Sequence, residues 1–180
     1  MPSGILVTAP LKGERPPQPR ATPTPMRVAI ASDHAAVALK ATLAAWLREE
    51  GHDVADLGPA TDARVDYPDF GYCLAAAIAS GDAERGVALC GSGIGISIAV
   101  NRNPAARCAL VSDPLAAALA REHGDCNVIA MGARLIGEDM AKACVTAFFD
   151  TEFAGGRHAA RVEKLGAPSF DPLPYVEEPA

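Results

Sequence analysis

The stretch Cys90-Gly91-Ser92-Gly93-Ile94-Gly95 holds the most chemistry in the fewest residues of this sequence. It ends an apolar run at 86–90 and opens a helical pattern at 93–101. Alternating glycines let a backbone curl close to a ligand and present N–H groups at a helix start. Such a nest holds a phosphate, or an oxyanion that forms during a reaction. No Gly-Lys-Ser/Thr follows, so the loop is not a P-loop. The third glycine stands at 95, where the dinucleotide fingerprint needs 96. Asp113, at the end of the next strand, keeps a nucleotide reading open. The structural alternative for the loop is tight strand–helix packing that needs small residues. A helix N-terminus favours the thiolate form of cysteine, which makes Cys90 a candidate nucleophile or proton-abstracting base. The alternative is a small buried core residue, the reading given to Cys73, Cys108 and Cys144. Cys126 falls in a loop and has no assigned role.

Other residues of the right type lie elsewhere. Asp33-His34 ends the first apolar run. Capping of the next helix explains Asp33 but not His34, which suits a sugar hydroxyl or a phosphate. His123 stands where a helix runs out before Gly124-Asp125. It reads either as a cation at a helix C-terminus or as a general acid near the carboxyl edge of the sheet. Arg157 and Arg161, spaced i, i+4 after Gly155-Gly156, form either a clamp for phosphate or a solvated face. Arg134 follows the fifth strand and is expected at the edge where Cys90 lies, with salt bridging as its alternative. His52, after Gly51 at a helix exit, reads as structural. The four histidines lack metal-ligand spacing, so no metal site is expected.

Positioning these residues requires a regular frame. Strands are expected at 27–32, 53–57, 86–90, 107–111 and 127–131, with helices at 35–50, 66–80, 93–101, 113–122, 137–150 and 157–165. Leu39, Leu43, Trp46 and Leu47 trace one helical face, and Asp113-Pro114 is a helix start. Regular alternation with short connections predicts one doubly wound, Rossmann-like α/β domain, a five-stranded parallel sheet with helices on both faces. A strand order of 2-1-3-4-5 is expected. Its switch point, between the first and third strands, is where such sheets bind ligands. Asp33-His34 and the glycine loop both fall there.

Composition limits the rest. The 180 residues suffice for one domain, and 49% hydrophobic with 21% charged residues is a globular balance. No run approaches the roughly 18 apolar residues of a membrane span. A net charge of −6 argues against nucleic acid as a partner. Five cysteines without a Cys-x-x-Cys pair suggest reduced thiols in a cytoplasm. Residues 1–25 hold seven of the 15 prolines and three cations against one anion. With no hydrophobic pattern to offset ordering entropy, they read as a disordered extension. A start at Met26 and a functional tail both remain open. The folded domain is expected at 26–167 and a loose tail at 168–180. Deleting residues 1–25 should leave the melting temperature unchanged in a thermal unfolding scan; a substantial drop would mean that the segment docks.

Several motifs together resemble a known family. Ser32-Asp33-His34, Asp66-Tyr67-Pro68, Cys90 to Ser97, Arg121-Glu122-His123, Asn127-Val128, Gly132-Ala133-Arg134 and Gly155-Gly156-Arg157-His158 occur in the order and spacing of ribose-5-phosphate isomerase B. The wider family includes the allose- and galactose-6-phosphate isomerases. The resemblance covers 26–165. It implies a cofactor-free aldose–ketose isomerase of the pentose phosphate pathway that works through a cis-enediol, with no NAD site. It implies Cys90 as the base that shuttles a proton between C1 and C2. Ser92 and the amides of Gly91, Gly93, Ile94 and Gly95 would steady the enediolate. His123, with Asp33 nearby, would open the furanose ring. His34, Arg134, Arg157 and Arg161 would hold the phosphate, and Tyr67 and Asn101 would line the pocket. It further implies a homodimer or homotetramer with sites shared between subunits. Another branch of the family carries a glutamate base one helix turn on, where this chain has Gly95, Ile96 and Ser97. One departure stands out: Gly124 follows His123 where the family usually has Asn. A related substrate, such as allose 6-phosphate or a tetrose phosphate, and a catalytically silent phosphosugar-binding module are the alternatives.

Overall fold

The structure is a computed structural model and describes residues 24–168. The expected tails at 1–25 and 168–180 lie almost wholly outside the described residues. Five strands form one parallel sheet: β1 (Arg27–Ser32), β2 (Asp53–Asp56), β3 (Arg85–Cys90), β4 (Cys108–Leu110) and β5 (Val128–Gly132). The helices between and after them are α1 (Val37–Glu49), α2 (Tyr67–Ala79), α3 (Ile94–Val100), α4 (Pro114–Gly124), α5 (Glu138–Asp150) and α6 (Ala159–Gly166), with a 3₁₀ turn at Gly156–His158.

The doubly wound α/β fold is as expected, but the strand order is β2-β1-β3-β5-β4. The expected order 2-1-3-4-5 is thus wrong in its last two places. The physical reason is visible in the strands themselves. Every residue of β5 is buried, as a central parallel strand requires, whereas β4 has three residues and none is fully buried. The switch point between β1 and β3 is unaffected.

Strand residues alternate between two faces. Val28, Ile30, Val87, Leu89, Ile129 and Met131 meet α1 and α5, with Phe148 fully buried among them. Burying one such side chain stabilises the fold by about 2–3 kcal/mol. Ala29, Ala31, Ala88 and Ala130 line the other face under α2 and α3. Small strand residues let those helices come close: a Cβ on Gly71 of α2 would lie 2.7 Å from Ala99 Cβ of α3. This close face carries Cys90. Asp113 caps α4 as expected, its Oδ1 accepting the Ala116 N–H at 2.8 Å. His52 is structural as expected: buried, it accepts the Met26 N–H at 3.3 Å and meets Phe149 edge-on. The last helix begins later than expected, at Ala159, so Arg157 sits on the 3₁₀ turn and not on one α-helical face with Arg161.

Candidate functional site

The glycine loop crosses the carboxyl ends of β3 and β5. Cys90 closes β3 with 4% exposure, and its Sγ accepts the Gly93 N–H at 3.0 Å. Gly93 has φ +78°, and a Cβ there would lie 2.6 Å from Leu110 Cδ1 and 2.8 Å from the Met131 carbonyl carbon. Glycine is therefore required at 93 both for conformation and for space. The loop is tied to the strand next door: the Ala133 N–H donates to Cys90 O at 2.9 Å and the Arg134 N–H to Gly91 O at 3.1 Å. Arg134 folds its guanidinium over Gly91, whose Cβ would be 3.3 Å from Arg134 Cζ.

Two of the loop amides have partners within the loop. The Gly93 N–H serves the Cys90 sulfur, and the Ile94 N–H donates to Ser92 Oγ at 3.3 Å. The curl that brings sulfur and backbone together uses these donors inside the loop.

Asp33 and His34 lie across the switch point. Asp33 is buried; its N–H donates to Leu89 O at 3.1 Å and its Oδ1 accepts the Ala35 N–H at 2.9 Å. His34 Nδ1 lies 3.1 Å from Val65 O, in the connection between β2 and α2. That connection also delivers Tyr67, whose ring covers Gly95: a Cβ there would be 2.5 Å from Tyr67 Cζ. The carboxyl edge thus gathers Asp33, His34, Tyr67, Cys90, Gly91, Ser92, Gly93, Ile94, Gly95 and Arg134.

The remaining expected residues are at the opposite edge. In a parallel sheet each helix runs back against the strands, so the end of α4 lies beside the start of β5. His123, the tenth of the eleven residues of α4, lies about 14 Å along the helix from its start at the carboxyl edge, at 1.5 Å per residue. His123 is therefore not near the carboxyl edge of its own chain, and Asp33 is not beside it. Instead His123 stacks on His158, with ring centroids 4.2 Å apart and planes within 3°. Arg157 Nε donates to His158 Nε2 at 3.3 Å. Burial, together with the nearby His123, Arg157 and Arg161, pushes His158 below the usual histidine pKa. Asn101, at the end of α3, spends its side-chain amide on Cys108, donating to O and accepting from N, both at 2.8 Å. It lines a hollow with Gly124, Cys126 and Leu165. Within one chain the expected set is split into two halves.

Among the described residues no carboxylate pairs with Arg134, Arg157 or Arg161. Arg121, by contrast, is buried and bonded to Asp125 and Cys126 O, a structural role. Among the described residues no three His, Cys, Asp or Glu side chains converge as a metal ion needs, and no helix is long and apolar enough to cross a membrane.

The other thiols are not alike. Burial raises the pKa of Cys144 to about 11 and also raises those of Cys108 and Cys126. Cys144 is the buried core residue expected, but Cys108 is only half-buried and Cys73 is exposed. Cys73 falls on the outer face of α2, where helical spacing turns it away from Gly71, Leu74 and Ile78. Sequence reasoning assigned no part to His158, Val65, Lys40 or Asp56. The first lies inside a quoted motif, but its stacking on His123 joins two residues 35 positions apart and has no local signature.

Residues 28–165 match the Ribose/Galactose Isomerase family. Ribose-5-phosphate isomerase B of Escherichia coli is 40% identical over 141 residues, which span 78% of this chain and 95% of that protein. D-erythrulose-4-phosphate isomerase of Pectobacterium atrosepticum is 42% identical over 142 residues, 78% of this chain and 93% of that one. The structure of Clostridium thermocellum ribose-5-phosphate isomerase B superimposes with a TM-score of 0.78 at 44% identity, covering 78% of this chain and 95% of the other.

Proposed function

Because this chain belongs to the ribose/galactose isomerase family, and so to the sugar-phosphate isomerases, we propose that it interconverts ribose 5-phosphate and ribulose 5-phosphate through a cis-enediol. Cys90 Sγ takes the proton from C2 of the open-chain aldose. The electron pair left behind forms the C1–C2 double bond, and the aldehyde oxygen becomes the enediolate oxygen. Transfer of the C2 hydroxyl proton to O1, and return of the proton from Cys90 Sγ to C1 as the C2–O bond becomes a carbonyl, gives the ketose. Ser92 and the loop amides not used within the loop steady the enediolate. Arg134 and His34 neutralise anionic charge beside them, and Tyr67 walls the pocket at Gly95. The observation that carries this reading is the buried Cys90 sulfur held by the Gly93 N–H inside a loop built only from small residues and Ile94.

The proposed site takes its second half from a second copy of the chain. His123 opens the furanose ring, Arg157 and Arg161 grip the phosphate, and Asn101 lines the wall. The support is geometric: these residues lie at the amino edge of their own chain, remote from Cys90. The seven-residue α3 also exposes Ile94 and Ile98, with Leu110 half-exposed at the strand end nearby. Packing α3 antiparallel on its copy covers those side chains and brings one chain's Asn101 end to the other's Gly93 end. A homodimer is the smallest assembly that does this. No metal or redox cofactor enters the reaction, and the five free thiols suit the cytoplasm.

Turnover tests the substrate. Kinetics with ribose 5-phosphate, allose 6-phosphate and a tetrose phosphate, side by side, should give the highest kcat/KM for ribose 5-phosphate. The tetrose phosphate is a live second reading because the relative named for erythrulose 4-phosphate is as similar to this chain as the ribose-named one, and because Gly124 leaves space where the family usually places Asn. A higher kcat/KM on another sugar phosphate would reassign the substrate. Binding without turnover of any of the three would make the chain a phosphosugar-binding module.

A further inference from the structure

We propose that the buried Lys40–Asp56 ion pair is a clamp that holds residues 57–66 against the site, making Lys40 a positioning residue for substrate binding. Lysine is almost never buried unless paired, and Lys40 is 3% exposed on the first turn of α1. Its Nζ donates to Asp56 Oδ1. Asp56 is the last residue of β2, at the same carboxyl edge as Cys90.

One carboxylate oxygen does two jobs. Asp56 Oδ1 also accepts the Gly58 N–H at 2.9 Å. Gly58 O in turn accepts the Ser32 N–H at 3.0 Å, next to Asp33, and the Leu57 N–H donates to Ile30 O at 2.9 Å. Lys40 thereby fixes the carboxylate that fixes the start of the connection onto the end of β1. The far end of the same connection carries Val65 to His34 and Tyr67 to Gly95. Between these anchors Thr61 to Arg64 are exposed. A connection released at Gly58 therefore loosens the seats of His34 and Tyr67, two groups proposed to contact substrate. Lys40 touches neither of them and acts through the loop. The kinetic part of this inference rests on the isomerase reading above; the clamp itself does not.

Lys40→Met separates the two. Asp56 is one-third exposed, so water can hydrate it once the ammonium is gone, whereas removing Asp56 alone would leave a buried unpaired charge. Arg64 gives a readout that needs no activity: trypsin cleavage of Arg64–Val65, followed by mass spectrometry, should run about tenfold faster in Lys40→Met. KM should rise about tenfold while kcat stays within about twofold. In a Tyr67→Ala background the same substitution should raise KM by clearly less than about tenfold, because only the His34 seat is left for the connection to hold. If Lys40→Met does not fold, Lys40→Met/Asp56→Leu replaces the pair by apolar groups of similar size, which folds use readily, and still removes the acceptor of the Gly58 N–H; it should show the same two effects. Unchanged Arg64 cleavage in either folded variant overturns the clamp. Faster cleavage with unchanged KM, or with kcat falling in step, overturns the positioning role. A wild-type protein that turns over no sugar phosphate sinks the isomerase reading, and the cleavage result still decides the clamp.

Discussion

Cys90→Ala is expected to lower kcat by about 10²–10⁴-fold, which is about 3–5 kcal/mol of barrier, in a protein that still folds. The size follows from the role proposed for the thiol. A base that takes the C2 proton acts only as the transition state forms, so its loss falls on kcat and leaves KM nearly unchanged. The fold should survive because the side chain is small and its one hydrogen bond is the contact from the Gly93 N–H. The expected stability cost is about 1 kcal/mol, within the ordinary range for a core substitution, and a thermal unfolding scan measures it. Cys90→Ser sharpens the test. Serine keeps the size and accepts the same N–H, but its hydroxyl does not ionise as a thiol does. It should be nearly as inactive as alanine. Near-normal turnover in folded Cys90→Ala would remove the sulfur as base; near-normal turnover in Cys90→Ser alone would leave a positioned oxygen as sufficient and take ionised sulfur out of the mechanism.

The carboxyl-edge half of the site is legible in the sequence because strand ends and helix starts announce it. Asp33-His34 and Cys90 to Gly95 each terminate an apolar strand, and in a doubly wound sheet both ends converge at the switch point. The order of β4 and β5 is harder to read, since chain order and space order diverge there. The cue is in Val128-Ile-Ala-Met-Gly against Cys108-Ala-Leu: a strand buried on both faces is long and apolar, and an edge strand is short. The location of His123 is also readable, because a helix that starts after one strand must end beside the start of the next. Contacts made by packing are different in kind. Tyr67 over Gly95, His158 on His123 and Lys40 with Asp56 join residues far apart in sequence, and no local pattern encodes them. Lys40 sits one position from the Leu39 of the expected helical stripe and turns inward, while Leu39 and Trp46 are only half-buried.

In the proposed shared site, small, tightly packed loops at one edge meet exposed arginines from the other edge of a second chain. The carboxyl edge supplies rigidity: the Cys90 sulfur is held by the Gly93 N–H, and the chain after β1, β3 and β5 is joined by backbone hydrogen bonds. The amino edge supplies charge on exposed side chains, Arg157 and Arg161, with His158 holding the first of them at 3.3 Å. Chemistry at C1 and C2 needs fixed geometry, whereas a phosphate remote from the reacting carbons needs only grip. The proposed division between edges follows that division of labour.

Arg157→Ala and Arg161→Ala should each raise KM by about 10- to 100-fold, matching the about 1.5–3 kcal/mol of a charge-assisted hydrogen bond, with a smaller effect on kcat. In the proposed site both guanidiniums hold one phosphate, so the double variant should fall short of the product of the singles. Subunit mixing then tests where they act. Neither Cys90→Ala nor Arg161→Ala should turn over appreciably at low substrate. In an equal mixture after exchange, about half of the dimers pair one of each, and in every such dimer one site draws an intact Cys90 from one chain and an intact Arg161 from the other. Activity should recover to about one quarter of wild type. The control is Arg134→Ala mixed with Cys90→Ala. Arg134 lies over Gly91 of its own chain, so each site keeps one defect and activity should not recover. Mass spectrometry of the mixed assemblies establishes that exchange has occurred. Recovery with Arg161 and none with Arg134 is the pattern required by a site built from opposite edges of two chains. No recovery with Arg161 in exchanged dimers would put the phosphate grip within one chain, and the shared site would be wrong.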